Sequence, residues 1–397
     1  MTPTDPQPWR RHVFFLSGFD PRGGAHFYAL YRSEALKQAS VNGMSINVGP
    51  RRRNENGNSV WTINATSPDG SRSQTTYEFA RWDDIVRKNW PRGIFAQLLS
   101  FFQYIRMLDL GGIATTWKLS RKTLVALAYP LAVLGGGLGL STLAGIGAAT
   151  VLHWAEAGWP LAIAMGLALF VLGLWGTHTL EKKLNSLSLV RIFSFTGKQA
   201  RAELPEFEAR LDANAHQMEK KIRANNVDEI LIVGFSVGTI RAASSLARAL
   251  DALESDSHEV GHCAQHPALS LLTLGHSIPM LGLLPQAASF RRELGVLALN
   301  KSLTWIDFSS PADVGSFAMV DPVVACKINL SSGTKHNPLM RSPRFHTMFS
   351  PASYAAITRE KLRLHMQYLM AGELPSDYDY FAITAGARTL AERYPDR

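Results

Sequence analysis

A long apolar segment between residues 123 and 180 constrains this chain more than any other feature. It contains a single carboxylate, Glu156, and neither lysine nor arginine. A helix that crosses a bilayer needs roughly 20 consecutive apolar residues, whereas apolar runs in the core helices of soluble proteins seldom exceed about 14 residues. The segment divides at residues 153–160 into two long stretches, near 123–152 and 161–180. We therefore expect two transmembrane helices rather than two buried helices of a soluble protein.

The residues around this segment predict its orientation. Trp154 and Trp159 bracket the break, where amphipathic rings favour the boundary between water and lipid, and Pro160 suits a helix start. The break contains no lysine or arginine. Basic residues flank the segment on both sides: Arg106, Lys118, Arg121 and Lys122 before it, and Lys182, Lys183, Arg191 and Lys198 after it. By the positive-inside rule, we expect both ends of the chain to face the cytoplasm.

Two features close to this segment leave alternatives open. Six glycines give the first stretch small faces that allow a neighbouring helix to approach closely: Gly135, Gly136, Gly137, Gly139, Gly145 and Gly147. The neighbour is either the second stretch or another copy of the chain, so the oligomeric state stays open.

Residues 94–117 mix apolar side chains with sparse charge, and they either lie along the membrane surface or cover a sheet in the soluble domain.

The composition narrows the classes of partner. The formal charge of +9 is scattered along the chain, and arginines 51–53 form its only run, which we interpret as a solvated hairpin tip, with contact to acidic lipid as the alternative. We therefore expect no nucleic-acid partner.

Cys263 and Cys326 are too few and too far apart for a disulfide framework. The apolar stretch 13–16 is too short for a secretory signal.

Outside the apolar segment, strand-like and helix-like stretches alternate. This pattern predicts an α/β fold with a mostly parallel sheet that helices cover on both faces. The predicted strands are residues 13–17, 45–48, 59–65, 76–80, 229–233, 268–275 and 303–308, and the predicted helices are 25–38, 205–225 and 238–253. We expect a transmembrane hairpin at 119–182, inserted between residues 1–118 and 183–397 of one domain.

A short motif at residues 234–238, G-F-S-V-G, places Ser236 directly between a buried strand and a helix. The pattern G-x-S-x-G is weak by itself, because common residue types meet at that spacing by chance. Between a strand and a helix, however, the serine must occupy a tight, strained turn that exposes its hydroxyl. The helix N-terminus beneath it favours the negative charge that develops during acyl transfer. The alternative is a serine that caps a helix in some other α/β protein.

On this motif and on the order of the elements that follow it, the chain outside the apolar segment resembles the α/β-hydrolase superfamily. The resemblance implies an acid and a histidine that follow the nucleophile in that chain order. Asp313 is favoured as the acid because it lies in the loop after the strand 303–308. Asp307, inside that strand, and Asp321, before a proline, stay open as alternatives.

The resemblance also implies a base and an oxyanion hole. His365 is favoured as the base because it comes late in the chain, close to a final helical stretch, and His346 stays open. The superfamily holds the oxyanion with the N–H after the nucleophile, here that of Val237, and with one from a loop after an early strand. Phe19 is the expected second donor, although the HGGG-type string of the superfamily is absent from that loop.

A competing motif suggests a metal. Residues 258–262, H-E-V-G-H, fit the H-E-x-x-H pattern of zinc metalloproteases, and His266 is a candidate third ligand. Ser, Asp and Gly residues in and before the motif indicate a loop rather than a helix, and the spacing fits no zincin pattern. We therefore expect no metal and no other cofactor.

The sequence thus predicts a membrane-anchored serine hydrolase of the esterase or lipase type. The expected partners are the lipid bilayer and an ester substrate, which attachment to a membrane makes a candidate lipid. One alternative is a membrane scaffold that keeps the fold without the chemistry, since function belongs to sites rather than folds. Another is an acyltransferase that uses the same triad.

Overall fold

The computed structural model describes residues 7–91, 94–108, 110–257, 267–330 and 333–395. They form two compact units. The first unit contains the residues up to Asn89 and those from Lys198 onward. The second unit is Trp90–Gly197, which includes the expected hairpin at 119–182 and the helices on either side of it.

The first unit is built on a sheet with nine strands among the described residues. They are β1 (Trp9–Leu16), β2 (Ser45–Val48), β3 (Arg52–Arg53), β4 (Ser59–Thr66), β5 (Arg72–Phe79), β6 (Glu229–Phe235), β7 (Ala268–Leu274), β8 (Leu303–Phe308) and β9 (Leu339–Arg341). The strand order is β2-β4-β5-β1-β6-β7-β8-β9, and β3 pairs with β4.

The helices follow in chain order. They are α1 (Gly23–Asn42), α2 (Asp83–Lys88), α3 (Ile94–Met107), α4 (Leu110–Leu119), α5 (Arg121–Pro130), α6 (Gly136–Trp154), α7 (Trp159–Leu184), α8 (Ser186–Ala200), α9 (Pro205–Ala224), α10 (Gly238–Ser257), α11 (Ile278–Gly282), α12 (Ala288–Leu299), α13 (Pro322–Ala325), α14 (Pro351–Arg359), α15 (Lys361–Met366), α16 (Tyr380–Ala385) and α17 (Leu390–Arg393).

The α/β class is confirmed, and the sheet is mixed, with parallel pairing among six of its nine described strands and antiparallel pairing at one side. Strands β5 to β9, with β1 between β5 and β6, pair in parallel. Strands β2, β3 and β4 pair antiparallel, as do β4 and β5. Short turns join these strands, and a short turn allows only antiparallel pairing. Parallel neighbours need long crossovers, which here contain the helices.

Burial follows the expected periodicities. The central strand β6 is buried at every position, as a parallel strand covered on both faces must be. In α9, the apolar residues expected to face the sheet are buried: Phe207, Leu211, Met218 and Ile222. In α10, the same holds for Ala242, Ala243, Leu246 and Leu250. The small alanines allow α10 to pack closely, which positions its first turn against the ends of the strands.

The predicted hairpin of β2 and β4 is confirmed, with Ser45 opposite Thr66. The interpretation of arginines 51–53 as its tip is wrong in detail. Arg52 and Arg53 form the short strand β3 against β4, and the turn itself is at residues 54–58. The turn moves because the asparagines and the glycine after the arginines supply its hydrogen bonds and its positive φ.

The second unit contains two helices that are long and apolar enough to cross a membrane. The first runs from Arg121 to Trp154 through α5, a π-helical turn at Leu131–Gly135 and α6, and the second is α7. Only 11% of the most apolar window of each helix is buried. Large side chains such as Leu143 and Val171 are 69% and 61% exposed. The described chain therefore does not bury these helices as a protein core would.

Small residues allow α6 and α7 to pack closely. A Cβ atom at Gly145 would lie 2.8 Å from the carbonyl oxygen of Gly166, and one at Gly173 would lie 2.5 Å from the Ser141 hydroxyl. The face of α6 that contains Ser141 and Gly145 is therefore covered by α7 of the same hairpin. Four other glycines have open space where a Cβ atom would be, so pairing with a second copy through that side stays an alternative: Gly135, Gly136, Gly139 and Gly147.

Residues 94–117 form α3 and most of α4, which belong to the second unit. The sheet lies in the first unit.

The packing of the hairpin predicts different effects for two glycines of the same helix. Gly145→Val places two methyl groups against the backbone of α7, and we expect the overpacking to destabilise the hairpin by about 1–3 kcal/mol. Gly139→Val is the matched control, because a Cβ atom there meets nothing within 4 Å. Thermal unfolding in detergent micelles, followed by the helical circular dichroism signal, measures the difference. Equal unfolding midpoints for the two variants would show that the helices do not pack this way.

Candidate active site

Two glycines allow the sharp turn that holds Ser236. At Gly234, a Cβ atom would lie 2.7 Å from the Cα of Thr239. At Gly238, it would lie 2.0 Å from the carbonyl oxygen of Leu16. Both distances are shorter than any Cβ contact a side chain can make, so only glycine fits either position. The end of β6, the start of α10 and the end of β1 can therefore converge on this turn.

Ser236 occupies the strained position of the turn. Its φ of +56° is left-handed, which costs a residue other than glycine on the order of 1–3 kcal/mol. Its N–H donates to the carbonyl of Leu274 at 2.9 Å, which fixes the turn against the end of β7. Ser236 is half-buried, whereas Phe235 and Val237 are buried. The turn therefore leaves this one side chain partly accessible at the carboxyl edge of the sheet.

Asp313 and His365 form a hydrogen-bonded pair. Asp313 lies in the loop after β8, and His365 lies in α15, beyond β9. The Nδ1 atom of His365 is 2.8 Å from Oδ2 of Asp313. The Asp313 side chain is 1% exposed and that of His365 is 16% exposed. With Nδ1 held by the carboxylate, Nε2 is the nitrogen left to accept a proton from elsewhere.

Further donors hold the Asp313 carboxylate. The Gly315 N–H donates to Oδ1 at 2.9 Å, and the Tyr368 hydroxyl donates to Oδ2 at 3.2 Å. Tyr368 is itself fixed, because its oxygen accepts the Ser310 N–H at 2.7 Å. The carboxylate is therefore positioned by three groups, and its orientation toward the imidazole does not depend on one contact.

The charges of the pair support each other. Burial alone would raise the pKa of Asp313, but the charge and hydrogen bond of His365, with the Gly315 N–H and the Tyr368 hydroxyl, outweigh it and lower that pKa. Burial alone would lower the pKa of His365, but the charge and hydrogen bond of Asp313 outweigh it and raise that pKa. The site therefore stabilises an imidazolium beside a carboxylate, which is what a general base becomes when it accepts a proton.

The pair lies beside the Ser236 turn. The His365 ring is 5.0 Å, between centroids, from the ring of Phe235, the residue directly before the serine. A Cβ atom at Gly275, directly after the carbonyl that binds the Ser236 N–H, would lie 3.3 Å from Oδ2 of Asp313. The structure therefore brings the three residues predicted from the sequence to one edge of the sheet.

The loop after β1 also reaches Ser236. A Cβ atom at Gly18 would lie 3.1 Å from the Cβ and 3.5 Å from the hydroxyl oxygen of Ser236, so the absence of a side chain allows the approach. Phe19 follows, with its ring edge-on to Trp82 at 5.8 Å. Within the described part of the chain, the Val237 N–H makes no hydrogen bond. The two expected oxyanion donors, Phe19 and Val237, are thus on segments that flank the serine.

The structure places the two alternative acids elsewhere. Asp307 is fully buried in β8, where it accepts the hydroxyl of Thr273 at 2.7 Å and lies 4.0 Å from Nε2 of His276. Burial raises its pKa. Asp321 caps the N-terminus of α13 by accepting the Val323 N–H at 2.9 Å, as its position before a proline suggests. Both side chains have structural contacts that do not include His365.

His346, the alternative base, lies in a short 3-10 helix at Phe345–Thr347 and is exposed. Its ring is 6.3 Å, between centroids, from that of Tyr354. No hydrogen bond between His346 and a carboxylate occurs among the described residues, whereas His365 has one with Asp313. Of the two histidines, His365 is therefore the one that the described structure pairs with a carboxylate.

The competing metal motif at residues 258–262 lies outside the described residues, as does His266. In the parts of the chain that are described, no group of three or more His, Cys, Asp or Glu side chains could hold a metal ion.

Sequence reasoning missed two contributors to the pair, Tyr368 and Gly315. Tyr368 follows His365 by three residues, a helical spacing that places two side chains on one face, and this spacing could have drawn attention to it. Gly315 gave no signal, because its role is a backbone N–H and a close approach: a Cβ atom there would lie 3.1 Å from Nδ1 of His365.

Comparison of the chain with models of protein families, with curated proteins and with solved structures finds no significant match.

The electrostatics of the pair predict the effect of removing its carboxylate. Asp313→Asn removes the charge that raises the pKa of His365 and leaves the burial that lowers it, so the pKa of His365 falls. Titration of the histidine ring protons by NMR measures this change. Asp321→Asn is the control. Because the Asp321 carboxylate caps a helix and does not contact His365, we expect the pKa of His365 to stay unchanged in this variant. An unchanged pKa in Asp313→Asn would contradict the pairing.

Proposed function

We propose that this chain is a membrane-anchored serine hydrolase of the α/β-hydrolase type that cleaves carboxylic esters. Ser236 is the nucleophile, His365 the general base and Asp313 the acid that orients it. The observation that carries the proposal is the strained Ser236 turn beside the Asp313–His365 pair. These residues follow one another in the chain order that this superfamily uses.

The geometry supports a mechanism in two halves. Ser236 Oγ attacks the ester carbonyl carbon, and Nε2 of His365 accepts the hydroxyl proton. The oxyanion that forms is held by the N–H groups of Val237 and Phe19. When the tetrahedral intermediate collapses, the C–O bond to the alcohol breaks and His365 donates the proton to the departing oxygen. Water, deprotonated by His365, then attacks the carbonyl carbon of the acyl-serine. The C–O bond to Ser236 Oγ breaks, His365 returns the proton to Oγ, and the carboxylic acid leaves.

The Ser236 conformation favours chemistry over a scaffold role. A left-handed serine costs stability, and such strain persists where the surrounding structure imposes it, commonly at catalytic positions. A scaffold would be more stable with glycine there, because glycine adopts that φ without strain. Acyl transfer to an alcohol or amine uses the same groups, and product analysis separates it from hydrolysis.

The hairpin supports attachment to a membrane. Its two helices are long and apolar, most of their surface is exposed, and basic residues flank both outer ends. We place the turn near Glu156 on the far side of the bilayer and the first unit in the cytoplasm. An enzyme held at a membrane meets apolar esters at high local concentration, so a lipid ester is the substrate class we expect.

Two departures from the superfamily pattern bear on this proposal. Three strands at one side of the sheet are antiparallel, and the oxyanion loop reads Ser17-Gly18-Phe19-Asp20 instead of an HGGG-type string. Gly18 still allows the close approach to Ser236 that such a loop needs.

Kinetics with a chromogenic short-chain ester test the proposal. We expect purified wild-type protein in lipid vesicles to hydrolyse the ester. Ser236→Ala and His365→Ala each lower kcat/KM about a thousandfold or more, because each removes a group that acts directly on the reacting atoms. His346→Ala is the matched control and leaves kcat/KM within about twofold. Hydrolysis that persists in Ser236→Ala, or that His346→Ala abolishes, would refute this assignment.

A further inference from the structure

The outer face of α3 is apolar and uncovered. Five of its large apolar side chains are between 41% and 85% exposed: Phe95, Leu98, Leu99, Phe102 and Ile105. Their spacing of three and four residues places them on one side of the helix. A contiguous apolar patch of this kind marks an interaction surface rather than ordinary exposed residues.

The opposite face fixes α3 to the base of the hairpin. Tyr104 is fully buried, its ring stacks on Phe193 of α8 at 5.7 Å, and its hydroxyl donates to the carbonyl of Leu127 in α5. Met107, one turn along, is buried as well. The helix is therefore held by one side while the side with Phe95 remains open.

The attachment point gives the depth of α3 relative to the hairpin. Leu127 precedes Trp154 by about 27 residues, or roughly 40 Å of helix. A bilayer with its headgroup regions is about 40–45 Å thick. With Trp154 at the boundary between water and lipid on one side of the bilayer, Leu127 lies at the same boundary on the other side. The 14 residues of α3 extend only about 21 Å, too short to span the hydrocarbon core.

We propose that α3 lies in the plane of the cytoplasmic membrane surface, with its apolar face in the boundary between headgroups and acyl chains. Lipid covers this face, because α3 is attached to the hairpin at the depth where the hairpin leaves the bilayer. Exposed basic residues near it complement anionic headgroups: Arg106, Lys118 and Arg121. The inference rests on the proposed membrane attachment and is independent of catalysis.

Depth-dependent quenching of a fluorescent probe tests this placement. In a Cys263→Ser, Cys326→Ala background, an environment-sensitive probe is attached through Leu98→Cys, or through Leu143→Cys in the middle of α6. The protein is placed in vesicles of phosphatidylcholine and phosphatidylglycerol with spin labels near the headgroup or near the acyl terminus. We expect shallow labels to quench the Leu98 probe and deep labels to quench the Leu143 probe.

The two positions separate the failure of this inference from that of the anchor. If deep labels quench the Leu143 probe and no lipid label quenches the Leu98 probe, α3 does not contact lipid and another protein surface covers it. If neither probe is quenched, the membrane attachment itself is wrong. A Ser40→Cys probe on α1 gives the signal of a position in water.

A second inference rests on a different observation, the burial of Arg241 in the first unit. Arg241 is fully buried in α10, five residues after Ser236. Among the described residues, none of its three guanidinium nitrogens has a hydrogen-bond partner. Its guanidinium carbon lies 4.4 Å from the ring centroid of Trp82. A buried charge without a hydrogen-bond partner is costly, so its presence calls for an explanation.

Its surroundings connect Arg241 to the oxyanion loop. The Trp82 ring N–H donates to the Ser17 hydroxyl at 3.1 Å, and the neighbouring Gly18 approaches Ser236. Side chains in a helix incline toward its N-terminus, so Arg241 covers the first turn of α10. The carboxylate whose charge acts on Arg241, that of Asp84, is already paired with Arg210 at 2.9 Å. The positive charge of Arg241 is therefore not neutralised by a direct partner.

We infer that Arg241 is a positioning residue whose fixed charge raises the positive potential around the oxyanion formed at Ser236. Its side chain is fully buried, so it does not touch substrate. A charge that is buried away from water is weakly screened and acts over several ångströms, and a fixed charge does so without reorganisation when the oxyanion forms. This inference rests on the proposed hydrolase function.

Variants that separate charge from shape test this role. With the same chromogenic ester, Arg241→Met lowers kcat about tenfold and leaves KM unchanged, because the charge acts on the transition state alone. Arg241→Lys restores most of the rate. The thermal midpoint of Arg241→Met does not fall, since replacing an unpaired buried charge by an apolar side chain relieves its desolvation.

Arg248 gives the control on the same helix. It pairs with three carboxylates, Glu208, Asp212 and Glu293, so Arg248→Gln lowers the thermal midpoint and leaves kcat unchanged. A wild-type rate in Arg241→Met, or an equal loss in Arg241→Lys, would overturn the charge role. Absence of hydrolysis by the wild-type protein would instead refute the hydrolase proposal.

Discussion

The close contact between the start of α10 and the end of β1 is the constraint on which the candidate site depends. The backbone of Gly238 lies against the carbonyl groups of Leu16 and Ser17, with no room for a side chain. This contact forces the chain after β6 to turn at once, and Ser236 takes the left-handed conformation that the turn imposes. The same contact brings the loop at Gly18 beside the serine, so one packing constraint creates both the strained turn and the close approach of that loop.

The two units differ in the kind of packing that holds them together. In the first, parallel strands with long crossovers bring residues that are distant in sequence to one edge of the sheet, and the buried Asp313 is held there by His365, Gly315 and Tyr368. In the second, small residues allow α6 and α7 to pair while large apolar side chains face outward. The chain enters the second unit after α2 and returns to the first unit before α9. Strands β6 to β9, which complete the sheet, therefore follow an apolar insertion in the chain.

The sequence was informative where a pattern has one physical solution. The apolar segment, the buried strand before Ser236 and the inward faces of α9 and α10 follow from period and length, and the structure has them. Asp313 and His365 were chosen on chain order, and their pairing could not be derived, because a contact across 52 residues depends on how β8, β9 and α15 pack. Strand β9, the contacts of Gly315 and the burial of Arg241 left no pattern in the sequence, since they arise from backbone approach and tertiary packing.

We infer that Ser236 is a nucleophile activated by the Asp313–His365 pair. Reaction with a fluorophosphonate in native membranes, followed by mass spectrometry of the peptides, tests it most directly, because the reagent bonds to an activated serine. We expect one adduct, on Ser236, that is lost in His365→Ala and retained in His346→Ala. An unmodified Ser236 in wild-type membranes, or an adduct that forms equally well in His365→Ala, would show that the pair does not activate this serine.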